Sequence, residues 1–301
     1  MPAIMGQTPG PRAERASYNQ ASLPPRPPLL LLFCAGIRHD SPALLLLPRH
    51  LRAPVQIMHR FVQSARTIAR AGGQEPQERL AALHEYEFEL DRIATGTVPQ
   101  APLFRELASI VAQRHLPLAP FHSLLAACRD DAAQTTYADF GALMDYCRRA
   151  ANPVGRLMLA LVGDDNPRHQ AYADALCTGL QFVQLLRRVG ADFAQGRVYL
   201  PQDELRRHGI LRQHLHGDFT TPLWETFMRA QIERARRLLQ AGAPLGLALP
   251  GRAGFAVRMM VAGGERILRK LHAAPAAALG KPVRLGAWDG AVTLGRALAR
   301  R

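Results

Sequence analysis

The sequence predicts an all-α fold, on three observations. From about residue 50 onward, apolar residues recur at helical spacing almost without a break. Glycine and proline punctuate that pattern where helices should end. The single strand-like stretch, Arg197-Val-Tyr-Leu200, is too short and isolated to build a sheet.

The elements follow in order. Leu51, Val55, Met58, Val62 and Ala65 define a first helix, which Gly72-Gly73 stops. Glu75 to Ile93 is a second, with Leu80, Leu83, Tyr86, Phe88 and Leu90 as its apolar positions. Pro102 to His115 and Phe121 to Asp131 are the third and fourth. Tyr137 to Ala151 is a fifth, ended by Pro153, after which Val154 to Val162 continues apolar. His169 to Gly190 is long and mostly apolar. Phe219 to Ala241 and Arg252 to Ala273 are two further long helices, and Trp288 to Ala299 is a short one. Residues 1–37 lack helical periodicity, carry Pro24, Pro25, Pro27 and Pro28, and read as a flexible extension before one helical domain over 38–301.

Composition narrows the function classes. A chain of 301 residues can bury one large core or two modest ones, and its 48% hydrophobic content suits a globular protein. No run of about 18 apolar residues predicts a membrane span. The run Leu29 to Gly36 follows Arg12, Arg15 and Arg26 as in a signal peptide, but it is short and no small-x-small cleavage site follows. A cytoplasmic location is therefore expected. Cys34, Cys128, Cys147 and Cys177 show no C-x-x-C spacing, which argues against a zinc site or redox motif, and the last three read as buried free thiols. The net charge of +14 is almost wholly arginine, since Lys270 and Lys281 are the only lysines. That surplus attracts phosphate groups, although arginines spread along the whole chain also suit solvated helix faces. Sparse aromatics and the lack of a known motif lead us to expect no nucleic-acid partner.

Three segments carry a resemblance. They are Tyr146-Cys-Arg-Arg-Ala-Ala-Asn-Pro-Val-Gly-Arg156; Ala175-Leu-Cys-Thr-Gly-Leu-Gln181 leading into Asp192-Phe-Ala-Gln-Gly-Arg-Val-Tyr-Leu-Pro201; and Leu47-Pro-Arg-His-Leu-Arg52. In this order and spacing they resemble the squalene/phytoene synthases, most of all the bacterial hopanoid-pathway branch. Gly263-Gly264-Glu-Arg-Ile-Leu268 and Trp288 add to the likeness. The resemblance implies a single-domain isoprenoid-synthase-type bundle around a deep apolar cavity. It implies two facing aspartate-rich motifs that hold Mg²⁺, and through it a prenyl diphosphate. It also implies conversion of presqualene diphosphate to hydroxysqualene.

The chain departs from that pattern where the metal belongs. The family's aspartate-aspartate-x-x-aspartate stands here as Arg66-Thr67-Ile68-Ala69-Arg70, and one turn earlier His59 and Gln63 replace a tyrosine and an arginine. The second motif's asparagine and two aspartates stand as Gln184, Arg188 and Asp192. Three aspartate-to-arginine exchanges shift the local charge by about +6, enough to oppose a Mg²⁺ cluster at any realistic dielectric. By resemblance Tyr146 and Asp192 are the catalytic candidates, and Asp192 is the one remaining metal ligand. Arg66, Arg70, Gln181, Gln184, Arg188, Arg197, Tyr199 and Gly155 are the candidates for gripping diphosphate or shaping the cavity. Each has a plainer reading: Tyr146 a core tyrosine, Asp192 an ion pair with Arg188, and the adjacent Asp130-Asp131 two acids facing different sides of a helix.

Two functions are expected to compete. One is an enzyme of squalene or hopanoid biosynthesis. The other is a non-catalytic relative that binds a prenyl diphosphate or lipid, through arginines that replace the metal, or binds a protein partner. Peripheral contact with the inner membrane is compatible with either.

Overall fold

The computed structural model describes residues 49–73, 75–133, 136–215 and 221–299. The expected extension over 1–37, Cys34 and the Leu47-Pro48 start of the third family segment lie outside them. In chain order the elements are α1 (Arg49–Ala69), α2 (Pro76–Ala94), α3 (Pro102–Arg114), α4 (Ala119–Ala133), β1 (Thr136–Tyr137), α5 (Phe140–Leu161), α6 (Pro167–Leu186) and α7 (Val189–Phe193). They continue with β2 (Val198–Pro201), α8 (Gln202–Arg207), α9 (Pro222–Gly242), α10 (Leu245–Ala248), α11 (Gly251–Ala273) and α12 (Ala287–Ala299).

Local sequence explains the long helices. Asp139 caps α5 by accepting from the Ala142 amide at 2.8 Å, and Asn166 caps α6 by accepting from the Arg168 amide at 2.9 Å. Pro167 and Pro222 occupy first-turn positions, where a missing N–H costs nothing. Apolar stripes then gather the helices around two cores. In the first, Phe61 of α1 meets Phe104 of α3 and Phe121 of α4 edge-on, with ring centres 5.8 and 5.3 Å apart. In the second, α5, α6, α9 and α11 bury Leu143, Phe182, Phe227, Ile232 and Ile267. α5 joins the two, because Leu157 and Leu161 belong to the first core and Leu143 and Leu159 to the second. α6 and α9 approach closely at Gly242, where a Cβ would lie 2.5 Å from the Leu176 backbone nitrogen.

The all-α expectation is met, with three corrections. Pro153 does not end the fifth helix, since α5 runs through it to Leu161. Proline inside a helix costs about 3 kcal/mol or more, and burial of Leu157, Leu159 and Leu161 together outweighs it. The stretch at 197–200 is not isolated: β2 pairs in parallel with β1, and Tyr137, expected to open the fifth helix, is instead a strand residue. The long sixth helix stops at Leu186, so Arg188 caps the separate short helix α7 rather than continuing α6.

Candidate functional site

Three of the residues expected at the polar site, Arg70, Tyr146 and Tyr199, gather around Asp131. Its place on α4 follows from periodicity, for Leu124, Cys128 and Asp131 share the buried face while Asp130 turns away. Asp130 instead lies 2.8 Å from Arg149. Arg70, at the end of α1, donates through Nε to Asp131 Oδ2 at 3.0 Å. The Tyr199 hydroxyl, on β2, donates to Asp131 Oδ1 at 2.7 Å. Arg70 Nη2 lies 3.4 Å from the Tyr199 oxygen and 3.5 Å from that of Tyr146 on α5. Tyr137, Tyr146 and Tyr199 pack ring on ring with centres 5.2 to 5.7 Å apart, and the Arg70 guanidinium lies over the Tyr199 ring.

The other arginines also turn inward and spend donors on the protein. Arg66 Nη2 donates to the Ala150 carbonyl at 2.9 Å, close to the turn that Pro153 disturbs. Arg197 reaches the Ala69 carbonyl, also at 3.3 Å from Gln195 Oε1. Arg188 pairs with Asp192 at 3.3 Å, which is the plainer of the two roles expected for Asp192. Gln184 accepts from Arg187 Nε at 2.6 Å, so its amide is tied to a neighbouring arginine. Arg187 itself, which the sequence reading passed over, is buried and bonds the Val283 carbonyl. Gln181 is buried with its Oε1 unpartnered, as are Arg188 Nε and Arg197 Nε.

Burial and charge set the protonation of this cluster. Burial pulls the Arg70 pKa down, but Asp131, Tyr146, Tyr199 and Asp192 together more than offset it, so the guanidinium stays charged. Burial, reinforced by Asp131, raises the Tyr146 hydroxyl well above the ordinary tyrosine value. Tyr137 and Tyr199 rise for the same first reason. Burial raises Asp192 as well, against the pull of Arg188. Burial, with Arg188 and Arg284 nearby, lowers Arg187 to about 10, which still leaves it protonated at neutral pH.

Mg²⁺ does not fit this donor set. It needs hard oxygen ligands free of other cations. Asp131 and Asp192 are the two buried acids here, and each already accepts from a guanidinium. Among the described residues no three acid, histidine or cysteine side chains converge. Space is also short, with about 10 Å³ between Arg66, Cys128, Asp131 and Tyr146.

The opposite ends of α5 and α6 are open. An apolar cavity of about 260 Å³ lies between them and α10–α11, lined by Gly155, Met158, Leu176, Leu180, Ala256 and Met260 among others. Gly155 lies nine residues beyond Tyr146, about 13 Å along the helix. It lines the cavity, and a Cβ there would sit 2.8 Å from Cys177 Sγ across the α5–α6 contact.

Known proteins share this arrangement of helices. Residues 40–289 match the squalene/phytoene synthase family. The hydroxysqualene synthase of Rhodopseudomonas palustris is 33% identical over 75% of this chain and 76% of its own length. The chloroplastic phytoene synthase 1 of Zea mays is 32% identical over 53% of this chain, and the match spans 40% of that longer protein. The solved squalene synthase from Alicyclobacillus acidocaldarius superposes with a TM-score of 0.72 at 30% identity, covering 81% of this chain and 90% of that one. With the family pattern matched along most of its length, and the same helices on both sides of the comparison, the chain belongs to the squalene/phytoene synthase family.

Proposed function

We propose that the chain binds an isoprenoid chain in the cavity between α5, α6 and α11, needs no Mg²⁺ to do so, and does not ionise a diphosphate. The observation that carries this reading is the Arg70–Asp131 ion pair. It sets a guanidinium where the family has an aspartate and ties up the carboxylate that could have compensated. Leaving-group chemistry of this kind requires a cation cluster to hold the developing negative charge. Binding an apolar chain requires only volume and apolar walls, which the cavity offers. Squalene/phytoene-synthase-like isoprenoid metabolism remains the setting, with a prenyl lipid as ligand and a membrane surface as its source.

A second reading keeps the family's chemistry: presqualene diphosphate to hydroxysqualene, as in hopanoid biosynthesis. Its support is the 33% identity to a hydroxysqualene synthase. The unpartnered Arg188 Nε and Arg197 Nε add to it, as donors that suit a phosphate oxygen.

A turnover assay with labelled presqualene diphosphate, run with Mg²⁺ and with chelator beside an active relative, separates the two. We expect no product in either condition and a saturable binding signal in both. Product that needs Mg²⁺ overturns the proposal. Product in chelator as well overturns it in favour of guanidinium-held diphosphate.

A further inference from the structure

The C-terminal helix α12 is apolar on the side that faces away from the protein. Asp289, Thr293 and Ala297 form its buried line. Asp289 takes Arg266 at 2.6 Å and Lys270, both on α11, and the Ala297 carbonyl takes Arg258 of α11 at 3.0 Å. These ties run α12 antiparallel along α11. The remaining faces should then be polar, as on any helix with one side in water. Instead Trp288 is 75% exposed, Leu294 44% and Leu298 50%, with Ala291 and Gly295 exposed between them. They fall at i, i+3, i+6 or i+7 and i+10, a continuous stripe. Arg296 is the single charged side chain exposed on this helix among the described residues.

The stripe extends towards the cavity. Arg258 bonds both the Ala297 carbonyl of α12 and the Gly246 carbonyl of α10 at 2.7 Å, which brings the two helices together. Leu247 of α10 is 64% exposed, and Leu249, Pro250, Arg252 and Ala253 just beyond it line the cavity.

Charge indicates what covers this face. From Gly251 to Arg301 the chain carries ten arginines and lysines against two acids, a surplus of eight out of a net +14. Both acids are already paired, Glu265 with Arg236 and Asp289 with Arg266 and Lys270. Arg252, Lys281, Arg284 and Arg296 are exposed. A second copy would set one basic surface against another. A bilayer rich in anionic lipid meets both the apolar stripe and the basic surround.

We propose that α12, with Leu247 of α10, is a membrane-docking face that lies in the interface of an anionic bilayer and turns the cavity towards it. The apolar stripe enters the headgroup boundary and the arginines contact lipid phosphates. This goes beyond the ligand reading above, because docking does not require the cavity to be filled.

Tryptophan fluorescence tests it directly. The chain has two tryptophans, and Trp224 is buried with its Nε1 donating to the Pro275 carbonyl. Quenching by membrane-embedded brominated lipid therefore reports Trp288. With phosphatidylcholine vesicles containing about one-third phosphatidylglycerol, we expect sedimentation with the vesicles, a blue shift and quenching. Binding to phosphatidylcholine alone should be weaker. The double variant Leu294→Gln/Leu298→Gln should lose about tenfold in partitioning while keeping its affinity for a soluble short-chain prenyl ligand, so a failed ligand reading and a failed docking face give different results. Vesicle binding without quenching, or binding unchanged in the variant, overturns the proposal. So does a Trp288 already shielded from iodide before vesicles are added. A concentration-dependent dimer abolished by the variant overturns it in favour of a second copy.

Discussion

The two ends of the α5–α6 pair contrast sharply. At one end Tyr146 and Gln184 each meet an arginine, and the arginines there pair with the protein's own acids and carbonyls. At the other, Gly155, Leu176 and Leu180 face about 260 Å³ of apolar space. The same two helices thus line an apolar space at one end and abut a cluster of paired arginines and acids at the other. A metal cluster fails when one or two ligands change, because coordination requires several oxygens at fixed places. An apolar wall tolerates exchange among side chains of similar volume.

Breaking the closed end should have the largest effect. Asp131→Ala strands the Arg70 charge and the Tyr199 hydroxyl in a mostly buried cluster. Arg70 keeps about a quarter of its side chain exposed, so the loss should fall at the low end for a broken buried pair, about 3 kcal/mol by chemical denaturation. Arg70→Met/Asp131→Ala should be milder than Asp131→Ala alone; a double variant at least as unstable would show that the pair is not what holds this end shut.

Filling the open end comes next. Ala256→Phe places a ring in the cavity and should weaken prenyl-chain binding about tenfold or more, with the thermal midpoint little changed. Unchanged affinity would move the ligand elsewhere. Gly155→Ala sits where the two helices touch and should cost about 1 kcal/mol by crowding Cys177 Sγ. Adding Cys177→Ala should recover most of it, because the clash is with that one atom.

The smallest effect is a pH dependence at Asp192. Burial holds its folded pKa above the unfolded value near 3.9. A raised acid contributes stability that is fully present below the unfolded pKa and is lost as pH rises through the folded pKa. Wild type should therefore lose stability relative to Asp192→Asn as pH rises from the unfolded value through the folded one. The opposite slope would mean that Arg188 outweighs burial.

Much of this was legible in the sequence, and the exceptions have physical reasons. The helices follow from spacing, and Arg66, Arg70 and Arg188 stand in plain view where the resemblance implies aspartates. Pro153 misled because a local rule about proline yields to the apolar burial on both sides of it. The β1–β2 pair was only half visible: Arg197 to Leu200 reads as strand-like, but its partner Thr136–Tyr137 lies some sixty residues away and is too short to signal alone. Asp131 was noticed with Asp130 but not recognised as the hub. Its buried position is readable from Leu124 and Cys128 on the same face, whereas its partners come from α1 and β2 and appear only when the chain folds. The α12 stripe gave no warning, since Trp288, Leu294 and Leu298 resemble core positions until the helix is seen with its other side packed.

The most direct test of the contrast is the affinity for farnesyl diphosphate by titration calorimetry, measured once with excess Mg²⁺ and once with excess chelator. The account predicts the same affinity in both, reduced by Ala256→Phe. Binding that appears only with Mg²⁺ and ignores Ala256→Phe would contradict it, because the ligand would then be held at the end that the arginines are said to have closed.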